Sequence, residues 1–461
     1  MEARNLSESN VGAGTRWINP LPVPQTGSST AHVNDRRVGR KTFLPFALPH
    51  ITQAEIDEVV DTLRSGWLTT GPKTKRFERE FAERVGAPYA VAVNSATAAM
   101  HLALDAIGLQ AGDEVIVPVY TFTATAEVVI YFGARPVFVD VDPVTCNLDP
   151  TQLEKHITAR TRAIMVVHIA GLPAELDAIH AIAKAHNLPV IEDAAHAFPA
   201  RYRGQVIGAI SDLTAFSFYA TKTLATGEGG MLTTANPEYA ERATMMALHG
   251  ISRDAWKRYT AEGSWYYEVL QAGYKYNMTD IAAALGLHQL ARSEWLWERR
   301  RAIALHYTEA FSQLPELEPP PCTSDKGGSR VRIYPARTSR SGFPVPPNPD
   351  HVEHAWHLYL LRLRTERLTI GRDAFIQELT KANIGTSVHF IPLHLHPFYR
   401  DTYQLAADDF PAALDAYRRV ISLPIYPGMT DEDVEDVIAA VEKIITTHRK
   451  PPCVAPCLGD R

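Results

Sequence analysis

Cysteine is scarce, with four in 461 residues: Cys146, Cys322, Cys453 and Cys457. They are too few and too scattered for a disulfide framework, and no Cys-x-x-Cys pair occurs to hold a metal. No apolar run approaches the roughly 20 residues that a membrane-spanning helix needs. The opening stretch lacks the basic-then-apolar pattern of a secretory signal. An excess of cations is missing too, since 46 Lys and Arg stand against 52 Asp and Glu for a formal net charge of −6. Such a balance argues against a general nucleic-acid binder, whose cations cluster in excess, yet it permits an anionic small substrate at a local basic site. These absences predict a soluble cytoplasmic protein with neither nucleic acid nor membrane as partner. The hydrophobic fraction of 46% and charged fraction of 21% are those of a folded globule, and the length allows two domains.

Patterning divides the chain. Residues 1–43 are polar, rich in Ser, Asn, Gly and Pro, and carry Arg36-Arg37-Val38-Gly39-Arg40-Lys41 without periodicity, which reads as a flexible arm. From Thr52 the pattern turns helical. Strand-like runs then recur near 90–94, 115–118, 136–140, 163–168, 188–192, 213–218 and 229–234, with helical stretches such as 97–107 and 175–186 between them. That alternation predicts an α/β fold with a largely parallel sheet covered on both faces, over a large domain at 44–295. After Asp280 the chain is helical through Glu294–Ala304, leading into a smaller carboxyl-terminal α/β domain at 296–449. Its last helix is the clearest: Thr430 can cap it, Asp431, Glu432 and Asp433 suit its dipole, and Val434, Val437, Ile438 and Val441 share one face. Residues 315–350, full of Pro and Gly with Lys326, Arg330, Arg332, Arg337 and Arg340, read as an inserted surface loop. Residues 450–461 read as a flexible tail.

Three segments carry chemistry. Phe216-Ser217-Phe218-Tyr219-Ala220-Thr221-Lys222 is an apolar β-type run ending in one lysine before a glycine-rich exit. A lysine at the end of a buried strand is partly desolvated, which favours the neutral amine, and a neutral amine can form a Schiff base with an aldehyde. The aldehyde inferred is that of pyridoxal phosphate. Val190-Ile191-Glu192-Asp193 is a strand that delivers a carboxylate, Asp193, where a pyridinium nitrogen could be held protonated. Asp193 could equally cap a helix beginning at Ala194-Ala195. Ala90-Val91-Ala92-Val93-Asn94-Ser95-Ala96-Thr97 is a strand running into a helix whose first amides, at Ala96 and Thr97, would receive a phosphate; helix capping competes for the Thr97 hydroxyl. In one parallel sheet the three strand ends would share a rim.

These residues, with Gly66-Trp67-Leu68-Thr69-Thr70-Gly71-Pro72, Gly273-Tyr274-Lys275-Tyr276-Asn277 and His354-Ala355-Trp356-His357-Leu358-Tyr359, resemble the DegT/DnrJ/EryC1/StrS family of pyridoxal-phosphate aminotransferases over residues 45–447. Within it they are most similar to the UDP-4-amino-4-deoxy-L-arabinose–oxoglutarate aminotransferases. The resemblance implies fold type I, aspartate aminotransferase-like, with a mostly parallel seven-stranded sheet. It implies a homodimer with shared active sites, glutamate and 2-oxoglutarate as the donor pair, and a nucleotide-linked keto sugar, such as a UDP-4-keto sugar, as acceptor. By the same resemblance Lys222 is the catalytic lysine and His196 lies beside the cofactor ring, with a helix-surface or packed histidine as the alternative. Ser217 holds the phosphate, unless it is a strand hydroxyl satisfied by backbone; Phe122 lies against the ring, unless it is a core phenylalanine. Asn277 reaches the partner subunit's phosphate, though by itself it reads as a turn residue. The segment His389-Phe390-Ile391-Pro392-Leu393-His394-Leu395-His396 invites a metal, but it lacks cysteine or carboxylate at finger spacing. No metal is expected, and the resemblance makes the segment a substrate wall. This segment, the 315–350 insertion and Phe122, where the arabinosamine subgroup has tryptophan, depart from that subgroup. A sugar dehydratase on the same scaffold would replace the lysine with histidine, which Lys222 opposes; a non-catalytic homologue is opposed by the intact trio.

Overall fold

The computed structural model describes residues 40–251, 266–321 and 352–451. Most of the arm, most of the 315–350 insertion with its five basic residues, the tail from 452, and Cys322, Cys453 and Cys457 lie outside them. Thr52 opens α1 (Gln53–Ser65), where the Glu55 carboxylate returns to accept the Thr52 amide at 2.9 Å, and Pro72 at the first position opens α2 (Pro72–Val85). Next come β1 (Tyr89–Val93), α3 (Ala96–Ala106), β2 (Glu114–Pro118), α4 (Ala124–Ile130), β3 (Arg135–Val139), β4 (Thr161–Val167), α5 (Leu176–Ala185) and β5 (Val190–Asp193). A short ribbon, β6 (Arg201–Tyr202) and β7 (Gln205–Val206), precedes β8 (Leu213–Ser217), β9 (Gly230–Thr234), α6 (Pro237–Met246) and α7 (Asp280–Ala291).

The seven-stranded sheet has the order β1-β9-β8-β5-β4-β2-β3. All of its neighbouring pairs from β8 to β3 are parallel, whereas β9 runs antiparallel to both β8 and β1. β1 therefore points the same way as the five parallel strands, and six carboxyl ends share one rim. Both faces are covered, which is why the strands read as continuous apolar runs. In β4, Ala163, Met165 and Val167 join the core formed with α3, α4 and α6, while Ile164 and Val166 join the opposite core with α2, α5 and α7.

Beyond, α8 (Ser293–Phe311) packs against a second, antiparallel sheet of β10 (Leu317–Glu318), β12 (Tyr359–Leu363) and β13 (Val420–Leu423), while β11 (Val352–Glu353) pairs with β6. With α9 (Arg372–Lys381), α10 (Pro397–Tyr403), α11 (Pro411–Arg419) and α12 (Asp431–His448), these complete the described chain. The α12 pattern holds: Thr430 Oγ1 accepts the Asp433 amide at 3.1 Å, the Asp433 carboxylate accepts the Thr430 amide at 2.9 Å, and the four named apolar residues are buried.

Two expectations are corrected. The insertion does not begin at 315, because Leu317 and Glu318 pair with Leu363 and Arg362; two strand residues hemmed by prolines leave no periodicity to read. Nor is the end of the arm loose. Arg40 Nη1 lies 2.6 Å from Asp433 and 2.9 Å from Asp436 on α12, a charge match that spans nearly the whole chain and leaves no local signature.

Candidate active site

Strand register builds the rim. Ser217 pairs with Gly230, Gly230 with Val93, and Val93 with Asn277, so four chain segments meet at one level. Just beyond Val93, Ser95 caps α3 by accepting the Ala98 amide at 3.1 Å. The capping role weighed for Thr97 thus belongs to Ser95, and Ala96 and Thr97 start the helix with amides free for an anion. Gly230 is glycine for a steric reason: a Cβ there would lie 2.5 Å from the Ser95 carbonyl carbon and 2.7 Å from the Ala96 amide. The β9 backbone therefore abuts the helix start. Ser217 is half-buried, and among the described residues its Oγ accepts only the Tyr219 amide, at 3.4 Å.

β5 ends at Asp193, which is buried. Thr125 donates its hydroxyl to Asp193 Oδ2 at 2.8 Å, and the Ala195 amide donates to Oδ1 at 3.1 Å. The chain leaves β5 in a turn and forms no helix there, so Asp193 caps none. Burial raises the carboxyl's pKa, against the two donors and the nearby Lys222 charge, which lower it.

The lysine does not end its strand as expected. β8 stops at Ser217, and Lys222 stands five residues on, in a turn closed by its own amide donating to the Tyr219 carbonyl at 2.9 Å. It keeps some exposure toward the rim, yet the surrounding protein desolvates the amine and lowers its pKa to about 8. Asp193 opposes that shift and the Arg300 guanidinium adds to it. Among the described residues no ion pair or hydrogen bond holds the Lys222 amine.

A neutral wall closes the site. His196 is buried, its ring 4.5 Å from that of His357 and stacked at 5.7 Å on Phe390. Burial pushes both imidazoles well below their usual pKa, and His389 down to about 4, with the Lys222 charge adding in each case. The Nδ1 atoms of His196 and His357 are buried without a hydrogen-bond partner among the described residues. The 389–393 segment is tied to the end of β2: Tyr120 donates its hydroxyl to the His389 carbonyl at 2.6 Å, and the Leu393 amide to Val119 at 2.9 Å. Phe122 is 58% exposed, its ring 6.1 Å from Phe390, so it is not a core phenylalanine. His394, by contrast, is buried with its Nε2 3.1 Å from the Ala407 carbonyl. Among the described residues no three His, Cys, Asp or Glu are grouped to share a metal.

Asn277 makes contacts in its own chain, its amide donating to Thr70 Oγ1 at 2.7 Å. Sequence reasoning missed Thr125, His357 and Arg300. His357 belongs to a segment that carries the family resemblance but suggests no role for it, while Thr125 has no signal beyond a hydroxyl in the first turn of α4. Arg300, fully buried and donating to the His357 and Ile425 carbonyls at 3.2 and 2.6 Å, hides within a run of charged helix residues.

The rim thus offers a desolvated amine, a buried carboxylate, an open helix start and unpartnered buried imidazole nitrogens. That donor set fits a cofactor with an aldehyde, a ring nitrogen and a phosphate. Comparison with known proteins agrees. The spore coat polysaccharide biosynthesis protein SpsC of Bacillus subtilis is 49% identical over 407 residues, covering 88% of this chain and 98% of that one. The uncharacterized protein MJ1066 of Methanocaldococcus jannaschii is 52% identical over 410 residues, 89% of this chain and 100% of that one. Among solved structures, the sugar aminotransferase Spr1654 of Streptococcus pneumoniae, described as putative, matches in its PMP form with a TM-score of 0.76 and 36% identity, covering 88% of this chain and 99% of that one. Its PLP form matches with a TM-score of 0.75. The family model for DegT/DnrJ/EryC1/StrS aminotransferases matches residues 49–442, and the chain belongs to that family.

Proposed function

We propose that the protein moves an amino group from glutamate to a nucleotide-linked keto sugar, a UDP-4-keto sugar being the first candidate, as a homodimer. The observation that carries the reading is the desolvated Lys222 amine, free of any partner among the described residues, on the same rim as buried Asp193. The name of SpsC supports a product destined for a surface polysaccharide.

Pyridoxal phosphate supplies an electron sink that spreads negative charge from the reacting carbon. The protein's own residues do the rest. The α3 start and Ser217 would hold the phosphate, and Asp193, fixed by Thr125 and Ala195, would keep a proton on the ring nitrogen. The Lys222 Nζ, neutral in an appreciable fraction near pH 7–8, would take a proton from the donor's α-carbon and deliver it to the cofactor's aldehyde carbon. His196, Phe390 and Phe122 would line the ring site and exclude water. Asn277 sits three strand positions from Ser217, roughly 14 Å at the usual strand spacing. We take Asn277 to serve the partner's phosphate on the family resemblance. We likewise take 44–295 and 296–449 as two domains, because a further hydrophobic core, with Tyr307, Tyr359, Phe375 and Val437 in it, draws almost wholly on the latter.

Two measurements test this. Glutamate added to the purified protein should shift the cofactor's absorbance, and a panel of nucleotide-linked keto sugars should include one that is aminated only with glutamate present. A shift without any aminated sugar across the panel would move the acceptor to another class; no shift would reject glutamate as donor. The rate at which the apoprotein captures pyridoxal phosphate should also rise with pH with a midpoint of about 8, as the Lys222 amine loses its proton. A midpoint above 10 would show that the amine is not desolvated.

A further inference from the structure

Asp280, the first residue of α7, is 2% exposed and has no cationic partner among the described residues, yet its carboxylate is saturated with donors. Oδ1 accepts the Gly71 amide at 2.8 Å, the Thr74 amide at 2.9 Å and the Thr74 hydroxyl at 2.6 Å, and Oδ2 accepts the Lys73 amide at 3.1 Å. One carboxylate thus caps α2 from outside it while sitting at the start of α7, where both helix dipoles favour its charge. Its own amide donates to the Thr69 carbonyl at 3.1 Å. Gly71 must be glycine, since a Cβ there would fall 2.8 Å from Asp280 Oδ2 and deeper still into the Trp67 ring.

The clasp continues toward the cradle. Thr70, held between Thr69 and Gly71, donates its hydroxyl to the Met278 carbonyl at 2.6 Å and accepts the Asn277 amide at 2.7 Å. Asn277 pairs with Val93, and the Asn94 amide donates to the Tyr276 carbonyl at 2.7 Å. Asn94 is the residue before Ser95, the cap of α3. A path that alternates hydrogen bonds with peptide links therefore runs from Asp280 through Thr70 and 276–277 to the backbone that enters the Ala96–Thr97 amides.

We propose that Asp280 is a positioning residue for the cofactor phosphate, acting through the Thr70–Asn277–Asn94 clasp that aligns the start of α3. The inference rests on the pyridoxal-phosphate reading of the rim. If Asn277 also serves the partner's site, the same clasp orients it there. In Asp280→Asn one arm of the side chain becomes an N–H donor facing backbone N–H donors, so the clasp cannot close as before.

The test compares pyridoxal phosphate with pyridoxal, which has the same aldehyde and ring but no phosphate, by spectral titration of the apoprotein. Asp280→Asn should weaken pyridoxal phosphate by about tenfold while leaving pyridoxal within twofold, a loss typical of charge-assisted hydrogen bonds. A general loosening of the fold would weaken both ligands alike. Thr70→Val cuts the relay while keeping Asp280, and should shift the same ratio in the same direction; it decides the matter if Asp280→Asn does not fold. Unchanged ratios in the folded variants, or parallel losses for both ligands, would overturn the proposal. Failure of the wild-type protein to bind pyridoxal phosphate would instead reject the cofactor reading beneath it.

Discussion

Lys222→Ala should lose turnover by at least about 10⁴-fold while still binding pyridoxal phosphate and melting near the wild-type temperature. The amine acts both as the covalent anchor and as the proton carrier, and positioned proton transfer alone contributes about 10²–10⁴. The fold has little stake in it, because the Lys222 amine makes no ion pair or hydrogen bond among the described residues, and taking a group whose charge burial disfavours out of the site removes a cost. Cofactor should remain through the α3 start and Asp193. The comparison is kcat, cofactor absorbance and Tm on one preparation. Turnover within tenfold of wild type would mean that another group moves the proton.

Asp193→Asn should lower kcat by about 10²–10³-fold, the scale of removing one preorganised electrostatic stabiliser. An amide cannot hold a proton on the facing ring nitrogen. Stability should change far less. The carboxyl already sits where burial disfavours its charge, and an asparagine can keep partners in Thr125 and the Ala195 amide. A Tm within a few degrees beside that fall in kcat separates a chemical role from a structural one. Full activity would show that the ring nitrogen finds its proton elsewhere.

Much of the fold was legible because burial on both sheet faces writes strands as apolar runs; β2, buried at all five positions, is the plainest. The reversal of β9 was not, since a run of apolar residues carries no direction. The lysine, the carboxylate and the helix start could be read as three separate strand endings, and the parallel rim brings them together. Lys222 was misplaced by five residues because Phe218-Tyr219-Ala220 continues the strand's composition past the point where pairing with β9 stops at Gly230. Thr125, Arg300 and Asp280 escaped notice for a common reason. Each acts through partners 57 to 209 positions away, and a single hydroxyl, guanidinium or carboxylate shows no period or spacing by which such contacts could be found.

The central claim is that this aminotransferase anchors its cofactor on one lysine. Borohydride reduction of the pyridoxal-phosphate-loaded protein, with peptide mapping of the product, tests it most directly. The cofactor should be fixed to the peptide bearing Lys222 and to no other, and Lys222→Ala should yield no labelled peptide. Label on a different lysine, or label that persists in Lys222→Ala, would contradict the account.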